Sequence, residues 1–175
     1  RHDGFLTDRL SSPPQTNEVA RSALILGAAL HVAELTRLPM ALYEVGASAG
    51  LNLGFDHYRY ALGEGRVWGK PDAPLTIECP WHGATPPLGA PLLVIARHGC
   101  DLRPVDASHA DDRNRLLSYV WADQSHRLQR VEAALKLAAA EHRVVEQADA
   151  ATWLEHQFAR SQQPGTVRVL FHTIV

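Results

Sequence analysis

Lysine is almost missing from this sequence: Lys70 and Lys136 are the only two among 17 basic residues, set against 19 acidic ones. The net charge of −2 therefore comes without a basic block, which removes the electrostatic ground for binding nucleic acid or a membrane surface. Aromatic residues make up only 7 % and do not alternate with basic ones, so no base-stacking platform is expected. Cysteine occurs twice, as Cys79 and Cys100, too few for a disulfide scaffold; a reducing compartment, the cytoplasm, is expected. No apolar run reads as a bilayer span, and no charged-then-apolar leader opens the chain. The chain starts at Arg1 and stops at Val175 inside an apolar run, and is expected to be a piece of a longer protein.

What is present is ample apolar material. With 175 residues, 46 % of them hydrophobic, one core and a single domain over 1–175 are expected. Val19, Ala23, Leu26, Leu30 and Ala33 recur at three- and four-residue steps and predict a helix to about Thr36, capped by Thr16 or Asn17, after a polar arm. Met40–Val45 predicts a strand, Gly46–Gly50 a turn, and 49–58 a helix of two or three turns. Residues 61–91 hold 11 of the 23 glycines and prolines, so a flap or hairpin insertion is expected there, with a strand at Leu75–Cys79. Then come a strand at Leu92–Ala96, a helix over 111–141 broken near Ala122–Asp123, and a strand at Val144–Gln147. A helix at Ala150–Arg160 and a strand at Val167–Val175 complete the order. Strands alternating with helices predict a doubly wound α/β fold with a mostly parallel sheet.

The chemistry concentrates at Leu42-Tyr-Glu-Val-Gly-Ala-Ser-Ala-Gly50. A strand of such a sheet delivers the chain to the carboxyl edge, where these folds bind ligands. Gly46 permits a positive φ and close approach of a ligand to the backbone, and Ser48 keeps the turn small. Gly50 lets the next helix start near the sheet, with free N–H groups facing the crevice. Glu44 offers a carboxylate to amines or hydroxyls, and Asn52 follows closely enough to face the same crevice.

The pattern Glu44-x-Gly46-x-x-x-Gly50 resembles the first motif of class I S-adenosylmethionine-dependent methyltransferases, with Ser48 in place of the usual middle glycine. The resemblance implies a Rossmann-like domain whose cofactor, S-adenosylmethionine, has its methionine part cradled by Glu44, Gly46, Ser48, Gly50 and Asn52. It further implies that Asp101, or Asp106, holds the ribose and that Asp149 sits near the adenine. His172 and Thr173, in the fourth strand Val167–Val175, would face an unknown acceptor, with His172 as a general base. The blocks PQTNEVARS, YEVGASAGLNL, DHYRY, RHGCDLRPVD, LLSYVWADQ and FHTIV are similar to a bacterial family catalogued as domain of unknown function 2332, which brings a fold analogy and no activity.

Plainer roles compete at each position. Asp101 and Asp149 are equally well read as turn or helix-capping residues, and Glu18 with Arg21 as a surface ion pair. A non-catalytic binding or assembly module is the alternative to an enzyme. A third reading, a zinc-stabilised fold, would use Cys79, His82, His98 and Cys100. Gly63–Lys70 has the wrong spacing for a phosphate loop. Trp121, Trp153 and Tyr119 read as core or interface aromatics.

Overall fold

The computed structural model describes Gly4, Thr7, Gln15 and residues 18–173. The expected caps Thr16 and Asn17, most of the arm and Ile174–Val175 lie outside the described residues. A short 3-10 turn, Val19–Arg21, leads into α1, Ser22–Thr36. Glu18 caps the turn by accepting from the Ala20 N–H, and its carboxylate pairs with Arg127 and Arg130 rather than with Arg21. Gly27 lets α1 meet the rest of the domain closely: a Cβ there would lie 2.5 Å from the Trp81 ring.

The main sheet has four strands in the order β6-β5-β1-β7 and all its pairings are parallel. They are β1 Met40–Val45, β5 Val94–Asp101, β6 Glu146–Gln147 and β7 Val167–Phe171. The β5 strand starts later than expected and runs on through Arg97-His98-Gly99-Cys100, because each of these residues finds a β1 partner. The β6 strand shrinks to two residues, as Arg143–Val145 turn aside toward Gly50. After the glycine turn a 3-10 segment, Asn52–His57, replaces the expected α-helix. Within 61–91, expected to be a flap or hairpin insertion with a strand at Leu75–Cys79, lies most of a second sheet, in which β2 is Arg59–Ala61, β3 Val67–Trp68 and β4 Thr76–Glu78, in the order β3-β2-β4.

The long helical segment divides into α2, Ala110–Leu117, and α3, Ser125–Ala140, around the expected break; α4, Ala150–Ala159, precedes β7. Alternate β1 residues face opposite layers. Met40 and Leu42 join the large core with Leu26, Leu30, Val131 and Leu135, while Tyr43 and Val45 join Trp153 of α4. Both faces of the sheet are thus covered, as the alternating order requires. Trp121 is not a core aromatic; it is 75 % exposed in the α2–α3 break. One stretch, Val19–Thr36, is after all long and apolar enough to cross a membrane by length and composition, with mean hydropathy 1.3. Its inner face is core, which accounts for much of that apolarity.

Candidate functional site

The strand register sets the site. Val45 is level with Cys100, Cys100 with Glu146, and Glu44 with Phe171. The residues that follow, Gly46, Asp101 and His172, therefore emerge side by side at the carboxyl edge, with Asp149 two residues beyond β6. β1 lies inside the sheet, flanked by β5 and β7.

The turn is built as its residue types dictate. Gly46 has φ 67° and Gly50 φ 64°, left-handed values that favour glycine, and Ser48 adopts φ 52° between them. Three of its N–H groups have acceptors within the protein, among them that of Gly50, where free N–H groups were expected to face the crevice. Ala47 donates to the Cys100 carbonyl at 3.0 Å, and Gly50 to the Ala47 carbonyl at 2.7 Å. The Ser48 N–H donates to Asp101 Oδ2 at 2.8 Å, and the Arg103 N–H to Asp101 Oδ1 at 2.8 Å. Asp101 thus shapes the turn and the loop after β5, keeping one further lone pair on each oxygen. Burial pushes the Cys100 thiol up to about 11, so it stays protonated and is no nucleophile at neutral pH.

Glu44 points to the core side and is 1 % exposed, beside Asn52 at 2 %. Burial raises its pKa to about 8, against the smaller opposing effects of the Asn52 hydrogen bond and the Arg143 charge. Glu44 Oε2 and Asn52 Oδ1 are buried without a partner among the described residues. A buried acid with one oxygen unmatched marks a place where binding can supply what folding did not. Asp149 caps α4, accepting from the Thr152 N–H at 3.1 Å, and is exposed. His172 is exposed just past β7. Asp106 accepts from the Ser108 N–H at 2.8 Å and from the Ser108 hydroxyl at 2.6 Å.

Two further residues hold the turn in place: Arg143, which no sequence motif points to, and Gln15, which precedes the first helix. Arg143, with a side chain only 4 % exposed, donates to the Gly50 carbonyl at 2.8 Å and pairs with Glu141. Gly54 makes room for it: a Cβ there would lie 2.4 Å from the guanidinium, and that glycine was the only available signal. Gln15 joins Ser48 Oγ at 3.4 Å and the Arg103 carbonyl at 2.7 Å. A cavity of about 280 Å³ lies beside the turn, between Val105–Ser108 and His142–Val145.

The zinc set does not assemble. Cys79 follows β4 of the small sheet, whereas His98 and Cys100 lie on β5, where His98 stacks on Tyr43 at 4.8 Å. Among the described residues no three His, Cys, Asp or Glu side chains converge as a metal site.

A parallel sheet with helices on both faces and a glycine turn after an inner strand defines a Rossmann-like α/β domain. Over residues 1–175 the chain matches the family described as an uncharacterized protein conserved in bacteria, DUF2332, and it belongs to that family. None of the curated proteins and none of the solved structures matches it.

Proposed function

We propose that this domain binds S-adenosylmethionine at the turn Glu44–Gly50 and serves a methyltransferase-like role toward an unknown acceptor. The observation that carries the reading is the row of acids at one sheet edge: Glu44 before the turn, Asp101 ending β5, Asp149 after β6. The donor chemistry suits the group. Glu44, buried with one oxygen unpartnered, meets an ammonium; Asp101 has lone pairs left for a ribose diol; Asp149 stands beyond it for the base. When bound, the cofactor supplies an electrophilic methyl group. The chain's own work is positioning, and His172, exposed at the same edge, holds a proton-accepting nitrogen available to an acceptor. A cytoplasmic setting belongs to the same reading.

One observation favours a second reading, a non-catalytic binding or assembly module. Three N–H groups of the turn are already satisfied, and Val145 and Arg143 lie against Gly50. Thermal unfolding of the full-length protein with S-adenosylmethionine separates the two. Ligand at a hundredfold over its dissociation constant stabilises by about 2.7 kcal/mol. Glu44→Gln and Asp101→Asn each weaken that response. No shift in the unaltered protein favours the module.

A further inference from the structure

An unbroken line of polar contacts runs from Asp56 to the glycine turn, and it passes through one exposed histidine. Arg97 of β5 donates to both Asp56 oxygens at 2.7 Å and meets His57 Nε2 at 3.0 Å. His57 Nδ1 meets Glu141, Glu141 pairs with Arg143, and Arg143 donates to the Gly50 carbonyl at 2.8 Å. The line joins the 3-10 segment Asn52–His57, the strand β5 and the residues just after α3. The imidazole is its most open member, 41 % exposed against 4 % for Arg143.

The contacts assign the proton on the ring. A guanidinium only donates, so the nitrogen facing Arg97 must accept, and Nε2 carries no hydrogen. The ring's single hydrogen is then on Nδ1, donated to Glu141, and the imidazole is neutral. With a neutral ring the line balances, two carboxylates against two guanidiniums. A proton on Nε2 would aim an N–H at the N–H groups of Arg97 and set a third positive charge beside two others. Asp56 Oδ2, 3.6 Å from Nε2, is already held by Arg97. The charged ring therefore leaves Arg97 and draws harder on Glu141, a charge-assisted bond being the stronger one. That pull is taken from Arg143. Tyr58 and Glu44 also lie within reach of the Arg143 charge. Burial pushes the Tyr58 phenol up to about 12, so it keeps its proton throughout.

We propose that His57 is a pH-sensitive latch on the ligand turn: neutral, it keeps Glu141 and Arg143 set against the Gly50 carbonyl, and protonated, it loosens that hold. That the turn takes S-adenosylmethionine rests on the proposed function; the latch itself does not.

Nuclear magnetic resonance of the full-length protein, from about pH 8 down to pH 5, tests this. At the upper end the His57 hydrogen is expected on Nδ1. As the ring takes up its second proton, the Gly50 and Leu51 amides are expected to shift with the same midpoint. Exchange of the Gly50 amide should rise by about threefold to tenfold beyond its ordinary pH dependence, the worth of one hydrogen bond. Both responses vanish in His57→Gln and persist in Glu44→Gln, which removes the neighbouring titration. In Glu141→Gln the ring still titrates and the turn no longer follows it. Binding of S-adenosylmethionine near pH 7.5 and near pH 5.5 reads the consequence: affinity should fall about threefold to tenfold further in the unaltered protein than in His57→Gln. An Nε2–H ring, turn amides that ignore the His57 titration, a response that survives in His57→Gln, or an equal fall in affinity overturns the latch. No binding at either pH sinks the proposed ligand alone, while the amide shifts still decide the latch.

Discussion

Arg143 reaches across 93 positions of sequence to donate a hydrogen bond to the Gly50 carbonyl, tying the α3–β6 loop to the glycine turn. Its side chain is almost wholly enclosed, and its charge is paired with the Glu141 carboxylate. A buried guanidinium held by one carbonyl and one carboxylate is costly to displace, because removing its partners leaves a charge out of water.

Gly54 and Arg143 should therefore behave as one unit. Gly54 has φ −98°, which any residue adopts, so alanine there is opposed by the guanidinium and not by the backbone. Gly54→Ala is expected to cost about 2 kcal/mol through overpacking, and Arg143→Ala a similar amount. The double variant should cost clearly less than the sum, because the added methyl then enters vacated space. Urea unfolding of the four proteins reads this coupling; strict additivity would dissociate Gly54 from Arg143.

Glu44 makes stability fall as pH rises. An acid whose pKa is raised on folding holds its proton more tightly in the folded state. The unfolded chain releases that proton near pH 4.5 and the folded protein near pH 8, so stability is lost through that window and levels off above it. The full cost is on the order of 4–5 kcal/mol. Glu44→Gln should match the unaltered protein near pH 4.5 and gain on it steadily toward pH 8 in denaturant titrations. Parallel curves at pH 5, 6.5 and 8 would show that burial does not hold the proton. An ammonium ligand reverses the effect by favouring the carboxylate. S-adenosylmethionine binding at pH 7 should then release a proton, visible as a binding heat that changes with the buffer.

Asp149 has two separable duties. As the cap of α4, its replacement by alanine should cost about 1 kcal/mol, whereas asparagine, which also caps, should cost little. If its carboxylate also meets a ligand, Asp149→Asn weakens S-adenosylmethionine binding at unchanged unfolding temperature. Equal binding by Asp149→Asn and the unaltered protein would leave the cap as its whole role.

The helical steps from Val19 to Ala33, the strand Met40–Val45, and the turn closed by Gly46 and Gly50 were legible because each is written in neighbouring residues. Apolar period and glycine placement act over a few positions. The Asp149 cap was legible for the same reason. The extent of β5 was not: Arg97-His98-Gly99-Cys100 looks like a loop until β1 supplies partners for it. Glu18 reads locally as a partner for Arg21, yet two arginines of α3 outbid a neighbour on the same turn. The zinc reading failed similarly, since spacing along the chain does not say that Cys79 and Cys100 belong to different sheets.

The sequence by itself determined an alternating α/β chain with a bare turn after its first strand, because helix period, strand length and glycine conformations are local properties. Only the tertiary structure decided that Glu44 lies buried with an oxygen unmatched, that Asp101 closes on Ser48, and that Arg143 bridges to Gly50. Those outcomes depend on burial and on contacts between residues far apart in the chain, which no local pattern encodes.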